Sequence, residues 1–286
     1  MKIAFLGLGV MGFPMAGHLQ AAGHDVVVYN RNTVKAATWV DKYQGAMALT
    51  PALAAADADL VLLCVGNDDD VRAVVYGDDG AIAGMKTNAV LIDHTTTSAI
   101  LAEELGKACQ QQSLQFLDAP VSGGQAGAEN ALLTIMIGGE QATFDFALPV
   151  LDVMAKKVTR VGDVGAGQKC KMVNQLCIAG LVQGLAEGVN FAQNAGLDVP
   201  MVLDVLRNGA AQSWQLENRT LTMAEDKFDF GFAIDWMRKD LGICLNEAEK
   251  LGLELPLTKN VDSEYKTLQQ QELGRMDTSA LFKIYN

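Results

Sequence analysis

Three glycines lie within and just after a short apolar run near the start of the chain. The run is Ile3–Leu8, and Gly7, Gly9 and Gly12 follow the spacing G-x-G-x-x-G. In a strand that turns into a helix, the first glycine allows a tight turn and the second lets the backbone approach a pyrophosphate. The third lets the helix pack closely on the strand. A second apolar run, Val26–Tyr29, follows at the distance expected of the same unit. The sequence therefore predicts a dinucleotide-binding turn.

The residues after this second run bear on which dinucleotide fits. They read Asn30-Arg31-Asn32-Thr33, and these four residues are candidate cofactor contacts. A site for NAD usually carries Asp or Glu here to accept a hydrogen bond from the ribose 2′-hydroxyl, whereas a 2′-phosphate repels a carboxylate and favours arginine. Because Arg31 is present and no acid is, NADP(H) is favoured over NAD(H). The alternative is that Arg31 is only a solvated loop charge.

Composition excludes several classes of partner. A net charge of −12 argues against binding to nucleic acid or to an anionic membrane, because both require a basic surface. No apolar run reaches the length of about 18 residues that a membrane span requires. The five cysteines are scattered without a C-x-x-C pair and the chain has three histidines, so neither a disulfide framework nor a metal site is indicated. We expect a cytoplasmic protein whose ligands are small molecules.

Apolar runs of strand length alternate with longer helical patterns through the first half of the chain. This alternation predicts a doubly wound, mostly parallel sheet covered by helices, which is a Rossmann fold. Ligands of such sheets bind at the carboxyl ends of the strands. The predicted strands are Ile3–Leu8, Val26–Tyr29, Leu60–Val65, Val90–Asp93, Gln115–Ala119, Thr134–Ile137 and Lys157–Val161.

The pattern becomes helical after a glycine-rich segment at residues 162–167. Gln168–Ala195 reads as one long helix, and a later helix continues from Asp240 toward Gly252. With 286 residues the chain is long enough for two domains. We therefore predict a Rossmann domain at residues 1–163 and an all-helical substrate and oligomerisation domain at 164–286, joined by the long helix.

Three glycines recur every four positions along the long predicted helix, at Gly180, Gly184 and Gly188. Glycine costs about 1 kcal/mol relative to alanine inside a helix. A stripe of three on one face therefore indicates the close approach of another helix or of a partner subunit. We expect a homodimer or a homotetramer.

Three further motifs give the chain a family resemblance. They are Asp118-Ala-Pro-Val-Ser-Gly-Gly124, Gly165-x-Gly-x-x-x-Lys171-x-x-Asn174 and Lys239-Asp-Leu241. Together with the glycine turn they resemble the β-hydroxyacid dehydrogenases, which include 3-hydroxyisobutyrate dehydrogenases, tartronate semialdehyde reductases and glyoxylate/succinic semialdehyde reductases. The resemblance covers essentially the whole chain, with a C-terminal domain similar to that of 6-phosphogluconate dehydrogenase.

Lys171 is the candidate acid/base. Hydride transfer to a carbonyl leaves an alkoxide that needs a proton, and a partly buried lysine can donate it and take it back in the reverse direction. Asn174 shares the helix face of Lys171 and can hydrogen-bond the same substrate oxygen. The resemblance implies these same roles, acid/base catalysis for Lys171 and substrate binding for Asn174. The alternative is that Lys171 is a solvated lysine like Lys169.

The segment Ser122-Gly123-Gly124 is the candidate seat for a substrate carboxylate. It follows a predicted strand and offers backbone N–H groups and a hydroxyl. Its alternative is a simple strand-to-helix turn. The resemblance implies that these residues bind the carboxylate, so a small-molecule carboxylate substrate is expected.

The remaining cofactor contacts rest on the resemblance. It implies contacts from the glycine turn, from strand ends and from one lysine of the helical domain, namely Gly7, Leu8, Gly9, Val10, Met11, Gly12, Cys64, Val65, Thr96 and Lys239. Arg238 has two interpretations, a surface residue or a second anion contact. Trp214 and Trp236 lie in segments expected to face the site, although tryptophan is most often a core residue.

Two positions depart from the family pattern. Many members have a proline after the fourth strand, where this chain reads Asp93-His-Thr-Thr-Thr-Ser-Ala99, which leaves the shape of that loop open. Tartronate semialdehyde reductases usually keep an Asp where Asn30 stands. This second difference favours NADPH-dependent reduction.

The leading interpretation is an NADP(H)-dependent oxidoreductase that acts on a small β-hydroxy acid or semialdehyde acid. An imine reductase on the same scaffold is the first alternative, and Lys171 counts against it. A non-catalytic dinucleotide-binding assembly module is the second, and the presence of both Lys171 and Asn174 counts against that. The sequence does not choose among short acids, because one methylene changes discrimination by only about 1–3 kcal/mol.

Overall fold

The computed structural model describes residues 1–285 and divides the chain into two compact units. The first comprises Met1–Lys171, and the second begins at Met172. This division falls inside one long helix, Ala166–Asn194. The domain boundary expected between residues 163 and 164 stays a prediction.

The first unit is built on one sheet, which has nine strands within the described residues. They are β1 (Lys2–Leu6), β2 (Asp25–Tyr29), β3 (Ala46–Met47), β4 (Leu60–Leu63), β5 (Val90–Asp93), β6 (Gln115–Asp118), β7 (Val121–Ser122), β8 (Leu133–Gly139) and β9 (Ala155–Gly162). The strand order is β3-β2-β1-β4-β5-β6-β8-β7, with β9 paired to β8. Strands β1 to β6 are parallel, whereas β8 is antiparallel to β6 and β7. The predicted doubly wound, mostly parallel sheet is confirmed.

Helices cover both faces of this sheet. They are α1 (Gly12–Ala21), α2 (Thr33–Tyr43), α3 (Pro51–Ala55), α4 (Asp68–Val75), α5 (Ala81–Gly84), α6 (Ala99–Gln111), α7 (Gly124–Glu129) and α8 (Gln141–Leu151). One buried core includes Met15 of α1 and Trp39 of α2, and the other includes Val71 of α4 and Leu105 of α6. The strands are apolar on both sides because both sides are covered.

The apolar runs locate the longer strands to within about two residues. The first strand ends at Leu6 rather than at Leu8, because Gly7 has a φ of +99° and turns the chain away from the sheet. The two strands that we did not predict, β3 and β7, contain two residues each. A pair of residues is too short to show a periodic pattern.

The second unit is helical, as predicted. It contains the later part of α9 (Ala166–Asn194), then α10 (Val199–Leu206), α11 (Trp214–Ala224), α12 (Ile234–Lys250) and α13 (Pro256–Gln270), and ends in a 3-10 segment, Thr278–Tyr285. Its core includes Val182, Met237, Tyr265 and Leu281. The prediction for α9 is correct to within two residues at each end. Helix α12 begins earlier than the expected Asp240, because Ile234 and Met237 already carry its buried face.

Two of the tryptophans lie at the surface of the second unit and not in its core. Trp214 is 55% exposed and Trp236 is 39% exposed. The ring of Trp214 lies 4.7 Å from the guanidinium carbon of Arg219, which is also 4.8 Å from the ring of Phe230. Arg219 in turn donates to the buried carboxylate of Asp277 at 2.9 Å. These contacts fix the Trp214 ring at the surface by cation–π attraction.

Candidate active site

The glycine turn between β1 and α1 is held by close backbone packing. Gly7 N donates to Tyr29 O at 2.8 Å. A Cβ at Gly7 would overlap the Cys64 carbonyl oxygen, and one at Gly12 would overlap the Gly7 carbonyl oxygen. Gly9 differs, because nothing lies within 4 Å of the position its Cβ would take. The turn therefore packs against the protein at its first and third glycines and is open at the second, as close approach of a pyrophosphate requires.

Asn30 supports this turn from the end of β2. Its Oδ1 accepts from Leu8 N at 2.9 Å, and its Nδ2 donates to Asn32 O at 2.9 Å. Asn32 in turn accepts from Val34 N and so caps α2, which begins at Thr33. Sequence reasoning proposed Asn30 as a cofactor contact and missed its bond to the glycine turn. An amide at the end of the second strand of such a unit is the signal that could have indicated it.

Arg31 projects from the same loop into solvent. Its side chain is 90% exposed, and its Nη1 lies 3.6 Å from Asp70 Oδ1 at the start of α4. An exposed pair of this kind contributes about 0–1 kcal/mol and breaks easily. The guanidinium can therefore exchange this carboxylate for another anion at little cost.

The predicted contacts at the strand ends lie side by side along one edge of the sheet. Strands β2, β1, β4 and β5 are consecutive neighbours, with Leu6 paired to Tyr29 and to Leu63. Val65 N donates to Thr95 Oγ1 at 3.1 Å, which joins the ends of β4 and β5. The first unit thus brings together the glycine turn and the following candidates, most of them half-buried or exposed: Val10, Met11, Asn30, Arg31, Asn32, Thr33, Cys64, Val65 and Thr96.

The loop after β5 is well defined without the family's proline. Ser98 is the N-cap of α6 and accepts from Leu101 N at 3.1 Å. Its hydroxyl donates to Asp68 Oδ2 at 2.5 Å, and Asp68 Oδ1 accepts from Ser98 N. A serine cap and a neighbouring carboxylate therefore set the start of α6 in this chain.

The candidate carboxylate seat lies between β7 and α7. Ser122 is half-buried and pairs with Thr134 of β8, while Gly123 and Gly124 are exposed. Gly123 has a φ of +132° and Gly124 a φ of +61°, which are conformations that favour glycine. The local geometry is a strand-to-helix turn, and the backbone of both glycines is open to solvent.

Helix α9 starts on a buried carboxylate. Asp118, the last residue of β6, accepts from Gly165 N at 2.7 Å and from Gln168 N at 2.8 Å. The Gln168 side chain donates to Thr95 O at 2.8 Å and accepts from Thr97 N at 3.1 Å. These bonds fix the start of the helix on the ends of β5 and β6. Sequence reasoning quoted Asp118 within a motif but assigned no role to either side chain.

Lys171 lies one turn after Gln168 on this helix. Only 7% of its surface is exposed, so it is not a solvated lysine. Its neighbour Lys169 is exposed and lies 3.8 Å from Glu103. The buried lysine is therefore the one that the motif singles out.

In the second unit, Asn174 and Lys239 are linked through two buried side chains. Asn174 Nδ2 donates to Gln175 Oε1 at 2.7 Å, and Gln175 Nε2 donates to Asp240 Oδ2 at 2.6 Å. Lys239 Nζ lies 3.1 Å from Asp240 Oδ1. The neighbouring Arg238 donates to Asp262 at 2.9 Å, so its charge is balanced within the unit.

Two ionisable groups at the end of β5 are fully buried. Burial raises the pKa of Asp93 to about 7, although Thr95 N donates to its Oδ1 at 2.8 Å. Burial lowers the pKa of His94 to about 4, and its Nδ1 contacts Ala119 O at 2.8 Å. Burial also raises the pKa of Asp118, with the Gly165 and Gln168 amides opposing it. The edge that holds the candidate site is therefore one where charge is costly, as is common at functional sites.

Within residues 1–285, no group of three or more His, Cys, Asp and Glu side chains is placed to hold a metal ion. None of the helices in that range combines the length and hydrophobicity of a membrane span.

Comparison with known proteins identifies both halves of the chain. Residues 2–162 match the model of the NAD binding domain of 6-phosphogluconate dehydrogenase. Residues 165–285 match the model described as NAD-binding of NADP-dependent 3-hydroxyisobutyrate dehydrogenase.

Relatives match along almost the whole length of the chain. An oxidoreductase of Shewanella frigidimarina is 57% identical over 98% of this chain and 96% of its own. The 2-hydroxy-3-oxopropionate reductase of Escherichia coli is 33% identical over 98% of this chain and 96% of its own. The structure of Mycobacterium tuberculosis 3-hydroxyisobutyrate dehydrogenase with L-serine is 30% identical over 99% of this chain and 98% of its own, with a TM-score of 0.89.

A Rossmann unit with a glycine turn, followed by a helical unit that matches a dehydrogenase model, defines an NAD(P)-dependent oxidoreductase. Within that class the chain belongs to the β-hydroxyacid dehydrogenase family, as an NAD(P)-dependent hydroxyacid dehydrogenase of the 3-hydroxyisobutyrate type. The resemblance seen in the four sequence motifs is confirmed.

Asp93 makes the stability of the protein depend on pH. Its pKa is about 7 in the folded chain, above its ordinary value, so the folded state binds the proton more tightly than the unfolded state. The stabilisation of the folded state by this raised pKa is fully present below about pH 4 and is lost as the pH rises toward 7. Each unit of difference between the folded and unfolded pKa is equivalent to about 1.4 kcal/mol. We expect Asp93→Asn to reduce the loss of unfolding free energy between pH 5 and pH 8.

The measurement is urea unfolding at both pH values. Asp41→Asn, at an exposed position of α2, is the matched control. It should show the same difference in unfolding free energy between pH 5 and pH 8 as the wild type. Equal pH differences in wild type and Asp93→Asn would contradict the assignment.

Proposed function

We propose that the protein is an NADP(H)-dependent oxidoreductase that transfers hydride between the nicotinamide and a small β-hydroxy acid or semialdehyde acid, with Lys171 as general acid and base. The observation that carries this proposal is the burial of Lys171 on a helix whose start is fixed by Asp118 and Gln168. A buried ammonium held on a rigid element is suited to donate a proton at a defined point.

The names of two relatives support the substrate class. The Escherichia coli protein is named for 2-hydroxy-3-oxopropionate, and the Mycobacterium tuberculosis structure contains L-serine. The first is a short semialdehyde acid and the second is a short acid with a β-hydroxyl group. A carbonyl or hydroxyl near a carboxylate is the feature that they share.

The chemistry divides between cofactor and protein. When bound, the nicotinamide supplies the hydride for reduction or accepts it in oxidation. In reduction, the carbonyl oxygen gains the electron pair of its double bond, and Lys171 donates a proton to that oxygen. In oxidation, Lys171 removes the hydroxyl proton. Ser122, Gly123 and Gly124 bind the carboxylate, and Asn174 orients the reacting oxygen.

The open space at Gly9 supports a pyrophosphate at the glycine turn, at the start of α1 where backbone N–H groups favour an anion. Gly7, Leu8, Val10, Met11 and Gly12 complete the turn. Along the same edge, Asn30, Asn32, Thr33, Cys64, Val65 and Thr96 are the further contacts from the first unit. From the second unit, Lys239 is the proposed cofactor contact.

Arg31 supports the preference for NADP(H). Its guanidinium is exposed, and its Nη1 lies 3.6 Å from the carboxylate of Asp70. A 2′-phosphate carries more charge than that carboxylate and offers bidentate geometry to a guanidinium. The phosphate is therefore the better partner for Arg31.

The decisive experiment is an initial-rate assay of wild type and Lys171→Ala with NADPH and with NADH. The substrates are glyoxylate, succinic semialdehyde, and tartronate and methylmalonate semialdehydes. We expect wild type to reduce at least one of them about tenfold better with NADPH, a difference of about 1.4 kcal/mol. Lys171→Ala should lose turnover by at least about a hundredfold, because general acid–base catalysis contributes about 10²–10⁴.

Lys169→Ala is the matched control, because Lys169 is an exposed lysine on the same helix. It should keep wild-type turnover, and NADPH binding to Lys171→Ala should be unchanged by fluorescence titration. Full turnover by Lys171→Ala would contradict the proposed mechanism.

The glycine turn gives a prediction that separates folding from cofactor binding. Gly12→Ala places a methyl group against the Gly7 carbonyl oxygen and should lower the unfolding free energy by about 1–3 kcal/mol. Gly9→Ala meets no protein atom and should keep the wild-type stability. It should weaken NADPH binding at least about tenfold, because the methyl group occupies the space proposed for the pyrophosphate.

Urea unfolding and NADPH fluorescence titration measure the two effects. Wild-type NADPH affinity in Gly9→Ala would place the pyrophosphate elsewhere.

We also propose a homodimer or homotetramer that uses the exposed face of α9. A Cβ at Gly180 would lie 3.1 Å from Leu257 Cδ2 of α13, whereas a Cβ at Gly184 or Gly188 would meet no side chain or neighbouring element within 4 Å. Phe191 on the same helix is 72% exposed. Sedimentation velocity should show a dimer or tetramer, and Phe191→Glu should shift it toward monomer. A wild-type monomer at micromolar concentration would refute the proposal.

A further inference from the structure

The side chain of Gln168 bonds the backbone on both sides of Thr96. Its Nε2 donates to Thr95 O at 2.8 Å, and its Oε1 accepts from Thr97 N at 3.1 Å. Gln168, Thr95 and Thr97 are buried, whereas Thr96 is half-buried. A carbonyl oxygen can only accept and a backbone N–H can only donate, so one orientation of the amide satisfies both. Burial strengthens these bonds, because water does not compete with them.

The backbone of the same residue is bound at the start of α9. Gln168 N donates to Asp118 Oδ2 at 2.8 Å. Lys171 follows three residues later on the helix, about 4.5 Å along its axis. One buried side chain and one helical turn therefore connect the backbone at Thr96 to the backbone of Lys171. All of these residues belong to the first unit.

The strand order indicates which part of the cofactor Thr96 would meet. Arg31 follows β2, the glycine turn follows β1 and Thr96 follows β5, in the order β2-β1-β4-β5. Neighbouring strands are about 4.8 Å apart, so β5 lies about 10 Å from β1 on the side away from β2. In NADP(H) the pyrophosphate separates the 2′-phosphorylated adenosine from the nicotinamide. With the 2′-phosphate at Arg31 and the pyrophosphate at the glycine turn, as proposed above, the nicotinamide extends toward the end of β5.

We propose that Gln168 is a positioning residue that holds Thr96, and the nicotinamide beside it, at a fixed distance from Lys171. This inference rests on the proposed function, in which the carbonyl carbon receives the hydride and the carbonyl oxygen receives the proton of Lys171. These two atoms are only about 1.2 Å apart, so both donors must be placed on one bond. Because Gln168 is fully buried, it acts through Thr96 and Lys171 and not by touching substrate or cofactor.

The first test uses Gln168→Met, which keeps the length of the side chain and removes both hydrogen-bonding groups. Thr95 O and Thr97 N then lose this partner, so the segment should move to recover hydrogen bonds. We expect the rate constant for hydride transfer to fall about ten- to a hundredfold. It is measured by stopped flow in a single turnover of bound NADPH, with the semialdehyde that wild type reduces fastest. This rate constant describes folded molecules only, so partial unfolding does not lower it.

The second test measures binding by calorimetry and needs no turnover. Gln168→Met should weaken NADPH binding about three- to tenfold, as expected for one net hydrogen bond. Binding of adenosine 2′,5′-bisphosphate, which carries the 2′-phosphate but no nicotinamide, should change less than about twofold. A general defect of the first unit would weaken both ligands by the same factor.

Gln183→Met is the matched control. Gln183 is another buried glutamine of α9, and it bonds Glu187 and Tyr285 instead. This variant should keep the wild-type rate constant and both wild-type affinities. An unchanged rate constant in Gln168→Met would overturn the proposal, and so would equal changes in the two affinities, including no change in either.

A second variant keeps the proposal testable if Gln168→Met does not fold. Gln168→Asn retains an amide in the buried site, but its side chain is one methylene shorter and cannot reach both backbone groups. It should show the same fall in rate constant and the same loss of affinity for NADPH alone.

The binding test also separates this inference from the proposed function. Wild type that binds NADPH but reduces no semialdehyde would refute the proposed function, while a loss specific to NADPH in Gln168→Met would still support the placement of the nicotinamide by Gln168. Conversely, wild-type turnover together with equal changes in the two affinities would overturn the role of Gln168 and leave the proposed function standing.

Discussion

The hydrogen bonds from the start of α9 to the buried carboxylate of Asp118 connect the sheet to the helix that carries Lys171. A carboxylate at a helix N-terminus satisfies backbone N–H groups that have no partner within the helix, and it also interacts favourably with the helix dipole. The fit depends on two glycines, because a Cβ at Gly138 or at Gly167 would occupy space now taken by Asp118 oxygens. The end of β6, the start of α9 and the backbone of β8 are therefore parts of one packed arrangement.

Two buried carboxyl groups belong to this arrangement, and burial makes their ionised form unfavourable. Asp93 and Asp118 are paired neighbours at the ends of β5 and β6, and burial raises the pKa of both. The amides of Gly165 and Gln168 offset the cost at Asp118, whereas Asp93 Oδ2 has no hydrogen-bond partner among the described residues. A sheet selected for stability alone would not end two adjacent strands in buried acids. We interpret the cost of burying Asp118 as a consequence of fixing α9 at this edge.

Much of the fold could be predicted from the sequence, because long apolar runs and helical spacing reflect burial directly. Strand ends were less accurate, since the turn at Gly7 depends on a backbone angle that the apolar run does not encode. The glycine spacing and the lysine motif located the candidate site, but not the side chains that support it. Asn30 bonds a turn 22 residues away, and Gln175 bonds Asp240 across 65 residues. An amide at the end of the second strand could have indicated the first pairing. The second arises only from tertiary structure, so no local pattern indicates it.

Helix α9 carries both the proposed proton donor, Lys171, and Asn174, which is proposed to orient the substrate. Lys171 and Asn174 are three residues apart, so they share one face with an axial separation of about 4.5 Å. Backbone hydrogen bonds of the helix maintain this spacing, and it requires no contact between the two side chains. Asp118 fixes the start of the helix before Lys171. Later on the helix, Gln175 accepts from Asn174 and donates to Asp240. Proton transfer is efficient only when donor and acceptor are held within hydrogen-bond reach. The bonds to Asp118 set the position of the Lys171 backbone within the first unit before substrate binds, as the proposed proton transfer would require.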